Sequence, residues 1–366
     1  MKEGWRNTKL NEICENLDSK RIPITKNKRL KGEFPYYGAS GIVDYVQDYL
    51  FDEELLLVSE DGANLLARAY PIAFSIEGKN WVNNHAHVLR FENIITQRYV
   101  EYFLNSIRLE PYVSGMAQPK LNQRSLNSIQ IPIPPLPEQK AIVKILDEAF
   151  AKIDQAKANI EKNIENAKEL FQSKLNEIFS QRREGWEEKT FKEICVLQRG
   201  FDLPKRLRSK GKYDLVTSSG VKDSHSEYKV EGPGVITGRS GSIGNVFYVE
   251  NRFWPLNTAL YIKDFKGNYE KYIYYFLREF DLSQYASGAG VPTLNRNFVH
   301  DVVVLSTVNV EEQKAIVETL DLLEMKIEKV KSFYLNKLIS LDDLKKAILQ
   351  KAFSGELTKM SELGLE

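Results

Sequence analysis

"PLPEQKAIVKILD" occupies Pro135 to Asp147, and "VEEQKAIVETLD" repeats most of it from Val310 to Asp321. A chain that opens the same helix twice is a candidate tandem repeat, so the two copies are best compared outward from this point. Upstream, "YVSGMAQPKLN" from Tyr112 answers "YASGAGVPTLN" from Tyr285, and "YVEYFL" from Tyr99 answers "YIYYFL" from Tyr272. Trp81 with Asn84 to Ala86 matches Trp254 with Asn257 to Ala259, and Gly62 in "SEDGANL" falls opposite Gly241 in "GRSGSIG". Ser40-Gly41 with Asp44 matches Ser219-Gly220 with Asp223, and "GWRNTKLNEIC" from Gly4 matches "GWEEKTFKEIC" from Gly185. The order is collinear throughout. The chain is one unit used twice.

Each copy starts with a mixed region and ends in a long helical one. The mixed part has short β-like runs ("ELLLVS", "GVITG", "ALYIKDF") broken by Gly, Pro and Asn turns, and an aromatic helix, "QRYVEYFLNSI" or "EKYIYYFLREF". That pattern predicts a compact α+β domain with its loops on one face. In the first helical segment Ile142, Leu146, Ala149, Ile153, Ala156, Ile160, Asn163, Ala167 and Leu170 alternate spacings of four and three. In the second, Ile316, Leu320, Leu323, Ile327, Val330, Tyr334, Lys337, Leu341, Leu344 and Ile348 do the same. A seam with that period predicts a coiled coil, broken by a polar residue at equivalent steps, Asn163 and Lys337. Such helices, roughly 60 Å long at 1.5 Å per residue, need a partner, and each has the other. The expected division is 1–136 and 182–308 for the mixed domains, 137–181 and 309–355 for the helices, and 356–366 for a tail.

Composition narrows the function. With 42% hydrophobic residues both copies can bury a core, and no apolar run reaches the roughly 20 residues of a membrane helix. No signal peptide is read at the start, so a cytoplasmic protein is expected. Two cysteines, Cys14 and Cys195, sit at matching positions and read as small buried apolar residues rather than as a disulfide or zinc framework. A net charge of +1 provides no global field for nucleic acid, so such binding must come from local patches or partner subunits.

Catalytic motifs fail on inspection. "EQK" at Glu138 and Glu312 has the E-x-K spacing of some nuclease metal sites, but no Pro-Asp supplies a partner carboxylate, and a Glu in the first helical turn is favoured by the helix dipole. "GRSGSIG" lacks the Lys-Ser/Thr of a phosphate loop. No Asn/Asp-Pro-Pro-aromatic site of an amine methyltransferase is present; of His85, His87, His225 and His300, only His85 and His87 alternate on one strand face, without supporting acids or cysteines elsewhere, and the second copy has Thr258 and Leu260 there. The sequence therefore predicts a non-catalytic chain that binds no metal or cofactor of its own.

Local charge is more informative. "KRIPITKNKRLK" (Lys20 to Lys31) carries six positive and no negative residues, and "RGFDLPKRLRSKGK" (Arg199 to Lys212) carries six positive and one negative. One such run is usually a solvated loop; two at equivalent places point to phosphate contact, through Lys20, Arg21, Lys26, Lys28 and Arg29, and through Arg199, Lys205, Arg206 and Arg208. Elsewhere the copies share framework residues but differ in loop polarity. Ser40, Asn84, His85, Gln118, Lys120 and Asn122 in one copy, and Arg239, Ser240, Asn257, Thr258, Thr293 and Asn295 in the other, have donors and acceptors suited to base edges. Asn122 and Asn295 recur at the same place, so a loop-holding role is the alternative for them. A coiled-coil scaffold that binds proteins or glycans remains the rival from another class; salt-dependent DNA binding separates the two.

Two domains opening "GW…EIC", each ending in "PxLN" and "EQKAIV", with "PIPPLPEQKAIV" in the first, resemble the specificity subunits of type I restriction-modification enzymes over essentially the whole chain. The second helix departs from the pattern, opening "NVEEQ" without prolines. The resemblance implies two pseudo-twofold-related target-recognition domains, each reading half of a bipartite DNA site, spaced by an antiparallel coiled coil. It also implies two methyltransferase subunits and two restriction subunits as partners. AdoMet, ATP and magnesium would belong to those partners.

Overall fold

A computed structural model describes residues 2–115, 117–181, 183–288 and 290–358. The chain divides into two compact units, Met1–Asn159 with Asn336–Glu366, and Ile160–Leu335.

The first unit contains β1 (Arg6–Lys9), β2 (Glu15–Asn16), β3 (Lys31–Gly38), β4 (Gly41–Val46), β5 (Phe51–Asp52), β6 (Leu55–Ser59), α1 (Asn64–Ala67), β7 (Ala73–Ile76), β8 (Lys79–Val82), β9 (Ala86–Arg90), α2 (Ile94–Ser106), α3 (Gln123–Asn127) and β10 (Gln130–Ile133). The long helix α4 (Leu136–Ser180) begins here and continues into the second unit. That unit adds β11 (Trp186–Thr190), α5 (Phe191–Ile194), β12 (Val196–Arg199), β13 (Tyr213–Thr217), β14 (Gly220–His225), β15 (Gly234–Gly238), β16 (Val246–Val249), β17 (Phe253–Pro255), β18 (Ala259–Asp264), α6 (Glu270–Glu279), β19 (Ala286–Ser287), β20 (Thr293–Leu294), α7 (Arg296–His300) and β21 (Val303–Thr307). The second long helix, α8 (Val310–Ser354), starts in the second unit and ends in the first.

The two units share one topology. A four-stranded antiparallel sheet runs β2-β9-β6-β7 in one and β12-β18-β15-β16 in the other. A second sheet pairs a hairpin with a parallel neighbour, β4-β3-β8-β5 against β14-β13-β17. The first and last strands of each mixed region close on each other, β1 on β10 and β11 on β21. The run "LLLVS" becomes the central strand β6 because it is covered on both faces. Leu56 and Val58 join the core under α2, while Leu55 and Leu57 pack on the other side with Leu17, Phe51, Val82 and Val88. In β15, Val235 and Ile236 divide between two cores in the same way. Both cysteines are unpaired; burial raises both thiol pKa values, that of Cys14 to about 12.

The aromatic helices lie where repeated contacts tie them to the long helices. Tyr102 donates to Asp147 on α4, and Tyr275 donates to Asp321 on α8. Trp5 Nε1 reaches Glu138 at 3.0 Å, and Trp186 Nε1 reaches Glu312 at 2.8 Å. Gln139 donates to the carbonyl of Pro134 and Gln313 to that of Thr307, each at 2.8 Å, closing the turn into the helix. The repeated "EQ" is thus a structural clamp. The Glu that resembled a nuclease ligand holds an indole.

Within each unit the helices run antiparallel, rising numbers on α4 meeting falling numbers on α8. In the first unit Lys157 bonds Asp342, Asp154 approaches Lys345 at 3.8 Å, and the Lys345 ammonium lies 4.5 Å from the centre of the Phe150 ring. Ile142, Leu146 and Ile153 are buried there, beside Leu341, Ile348 and Ala352. In the second unit Ile316 and Leu320 are buried and Ile327 packs on the same core as Phe171, Leu175 and Ile178; Ile160 is also buried.

Several seam positions differ from the expectation. Asn163 is exposed beside the seam, bonding Tyr334 Oη at 3.2 Å, and Ile164 faces inward instead. Lys337 is exposed while Leu338 is partly covered. Leu344 is 48% exposed, and the next residue, Lys345, takes the inner place. Leu170, at 57%, likewise yields to Phe171, at 7%. Ile160, Ala167, Leu341 and Ile348 keep their expected places, so at alternate steps the covered residue is the next one along, as on a stripe broader than a strict two-position seam. The polar breaks inferred at Asn163 and Lys337 are not breaks. The stripe remains apolar there.

Candidate nucleic-acid interface

Three segments meet in each mixed domain, and the same backbone bonds join them in both. In the first, Glu60 N donates to His85 O at 2.8 Å, Leu121 N to Glu60 O at 2.8 Å, and Gly62 N to Pro119 O at 3.0 Å. In the second, Arg239 N donates to Thr258 O at 2.9 Å, Leu294 N to Arg239 O at 2.8 Å, and Gly241 N to Pro292 O at 3.2 Å. Gly62 and Gly241 take φ of 108° and 83°, a backbone that side-chain-bearing residues rarely adopt, which is why glycine recurs there. The scaffold of the loop cluster is therefore identical, position by position.

The side chains on it are not. In the first cluster Glu60 accepts from Arg21 at 2.7 Å and pairs with Lys120 at 3.2 Å. Burial pushes the Glu60 pKa up, but Arg21, His87 and Lys120 outweigh it and hold the carboxyl below its ordinary value. Beneath it lies His87, with Nδ1 2.6 Å from Asp18 and Nε2 2.7 Å from the Leu121 carbonyl. Asp18, Glu60 and His87 are the one group among the described residues close enough together to ligate a metal, but the guanidinium of Arg21 already supplies the cation. At the rim, exposed His85 contacts both oxygens of Asp61 through Nδ1 at 2.9 Å.

In the second cluster the polarity is inverted. Arg199 stands at the place of Asp18 and pairs with the nearby Asp202 at 3.1 Å, and Arg239 stands at the place of Glu60. Leu260 replaces His87. Asn257 donates to Asp202, and its backbone carbonyl accepts from Arg239 Nη1 at 3.1 Å.

The family model of the type I restriction modification DNA specificity domain matches twice, over residues 2–166 and 183–337. The chain belongs to that family. A putative type I restriction enzyme specificity subunit of Haemophilus influenzae is 38% identical over 142 residues, 39% of this chain and 36% of that one. A putative type I specificity subunit of Mycoplasma pneumoniae is 24% identical over 86% of this chain and 88% of its own length. A chain from a study of complex assembly and conformational transition in the type I R-M system shares the fold at TM-score 0.78 and 16% identity, over 98% of this chain and 99% of its own. The HsdS subunit of Thermoanaerobacter tengcongensis does so at TM-score 0.58 and 16% identity, over 98% of each.

For a member of this family the residues expected at the interface fall into two sets. Lys20, Lys26 and Lys28 are exposed, as are Lys205 and Arg206 on the equivalent short turn. Ser40, Asn84, His85, Gln118 and Lys120 are exposed at the first cluster, while Ser240, Asn257, Thr258 and Thr293 are partly covered at the second, with Ser240 bridging Thr293. The other set is occupied internally. Arg21 is 12% exposed at its side chain and spans Asp18, Glu60 and the Ala86 carbonyl. Arg29 bonds the Ile24 carbonyl and Asp44, each at 3.1 Å, and stacks 4.4 Å over the centre of Tyr36, while Arg208 bonds the Leu203 carbonyl at 3.2 Å. These arginines brace the basic turns from inside because their forks satisfy backbone carbonyls that a lysine could not reach as well. Asn122 and Asn295 accept from Ser125 N and Asn297 N as helix caps, so the loop-holding alternative applies to both. Glu60, Asp61 and Asp202 were not expected at the interface. The signal was present in the repeat, where "ED" before one glycine faces "RS" before the other.

Among the described residues no helix is long and apolar enough to cross a membrane.

Proposed function

We propose that each mixed domain is a reading head for one half of a bipartite double-stranded DNA site, and that the long helices hold the two heads in register. One observation carries this reading: two loop clusters with identical backbone bonding display side chains of opposite polarity, as two readers of different sequences should. The exposed lysines on the flanking turns would contact phosphates, and the loop side chains would contact base edges. The chain itself performs no chemistry in this reading. Its partners, two methyltransferase subunits and two restriction subunits in the full complex, would bring AdoMet, ATP and magnesium, in the cytoplasm.

Domain exchange tests it. Replacing residues 1–130 with the first domain of a related subunit, in cells carrying the partner methyltransferase, should change one half of the methylated site and leave the other intact. Adenine methylation mapped genome-wide gives the answer. A change in both halves, or in neither, defeats the two-headed reading, and an absence of salt-dependent DNA binding favours a protein- or glycan-binding scaffold.

A further inference from the structure

Resting on that reading, we propose that Arg239 determines specificity in the second head by reading a guanine through its guanidinium fork. Its counterpart in the first head supplies the contrast. Glu60, on the same backbone node, has its charge countered by Arg21 and Lys120. Arg239 has inherited the node without the counter-charge. Its one side-chain hydrogen bond is Nη1 to the Asn257 carbonyl, and no carboxylate lies within ion-pair distance of it among the described residues. Asp202, the acid of this cluster, is committed to Arg199 and to the Asn257 amide.

A partly covered guanidinium with most of its five donors unused calls for an acceptor from outside the chain. The single bond to a backbone carbonyl orients the fork without neutralising it. Around it stand small hydroxyl residues, Ser240, Thr258 and Thr293, which leave room for a base edge. The major-groove edge of guanine offers two adjacent acceptors, O6 and N7, that match such a fork; adenine, cytosine and thymine do not offer that pair. A phosphate would satisfy the same donors. Position favours the base: Arg239 sits at the centre of the loop cluster, whereas the exposed cations suited to phosphate lie on the flanking turn at Lys205 and Arg206.

The test uses the chain assembled with its methyltransferase subunits and a duplex library randomised across both half-sites. The wild type should require guanine at one position of the second half-site. Arg239→Gln should accept other bases there, with discrimination falling on the order of five- to 150-fold, the range of one bidentate pair. Preferences in the first half-site should not move. Arg239→Lys, which retains the charge but not the fork, should keep the salt slope and lose much of the discrimination; it carries the same test if the Gln variant fails to fold. Uniform weakening on all sequences, with a shallower salt slope for Arg239→Gln, would make the ligand a phosphate and overturn the proposal. A second half-site whose guanines stay required in both variants would overturn it too, while leaving the two-headed reading intact. A wild-type complex that selects no sequence would overturn both.

Discussion

Two adjacent residues on α4 give the strongest test of which face that helix buries. Phe171 is 7% exposed, its ring 6.1 Å from that of Tyr275 and 4.5 Å from the guanidinium of Arg278. Leu170 is 57% exposed. A strict heptad count reverses these roles and puts Leu170 in the seam. From the structure, Phe171→Ala removes a buried aromatic ring and leaves a cavity, a cost of about 3–4 kcal/mol, to which removal of the cation–π interaction adds up to about 1. Leu170→Ala should stay within about 0.5 kcal/mol, as for most exposed substitutions. With a urea dependence of about 2–3 kcal/mol per molar for a unit of this size, Phe171→Ala should lower the unfolding midpoint by about 1–2 M, and Leu170→Ala should barely move it. Trp186 and Trp254 belong to the second unit and Trp5 and Trp81 to the first, so the comparison is made in a background carrying Trp5→Phe and Trp81→Phe, where fluorescence follows the second unit and agreement with far-UV circular dichroism would justify a two-state fit. Equal midpoint decreases for the two variants, or a larger decrease for Leu170→Ala, would refute this assignment of the buried face.

The basic turns and the ion pairs give further expected outcomes. Lys26→Ala with Lys28→Ala should leave stability unchanged and flatten the logarithmic salt dependence of DNA binding by about 0.9 for each phosphate no longer neutralised, whereas Arg29→Ala should cost about 1–2 kcal/mol in denaturation by removing its stack on Tyr36 and its bonds to Ile24 and Asp44. Burial raises the Glu138 pKa, but the bonds from Lys2, Thr358 and Trp5 more than offset this and hold it below the ordinary glutamate value. A depressed folded pKa stabilises above the unfolded value and is lost as pH falls through the folded one; acid titration of the urea midpoint should therefore be shallower in Glu138→Gln below pH ~4.3. Glu60→Arg should cost about 3 kcal/mol by setting two guanidinium groups together, and adding Arg21→Asp should recover part of it. A double variant no more stable than Glu60→Arg alone would mean that the two positions are not coupled.

The repeat made the fold legible, because it allowed each ambiguous segment to be read against a second version of itself. "ELLLVS" alone is a short apolar run that a strand or a helix could use; aligned with the region of "GVITG", between glycine-bounded turns, it reads as a strand. The helices were legible from their period, but their exact face was not, since the covered stripe is broader than a strict two-position seam. Side-chain direction within the basic runs was not legible either. Lys20 and Arg21 are neighbours of like charge, yet one is exposed and the other is drawn inward by Asp18 and Glu60, acids that lie on other parts of the chain or fold back by one turn. Charge counting cannot separate them, because what decides is which backbone carbonyl or carboxylate the fold brings within reach.

The repeat also separates scaffold from reader by a physical criterion internal to the chain. Residues that agree between copies make matching bonds: Trp5 to Glu138 and Trp186 to Glu312, Tyr102 to Asp147 and Tyr275 to Asp321, Gln139 and Gln313 to a backbone carbonyl just before their own helix. Residues that disagree, disagree in concert. Reversing Asp18 alone would place two cations three residues apart beside Arg21; reversing Glu60 alone would set a guanidinium against Arg21. The second copy instead carries Arg199, Asp202 and Arg239 together: Arg199 pairs with Asp202, and Arg239 has no carboxylate partner among the described residues. Arg21 and Glu60 are 12% and 13% exposed at their side chains, and a buried ion pair that loses one partner is costly, so a change at one favours a change at the other. That coupling gives a scaffold of fixed backbone a way to alter the polarity of its loop cluster without loosening the domain beneath it.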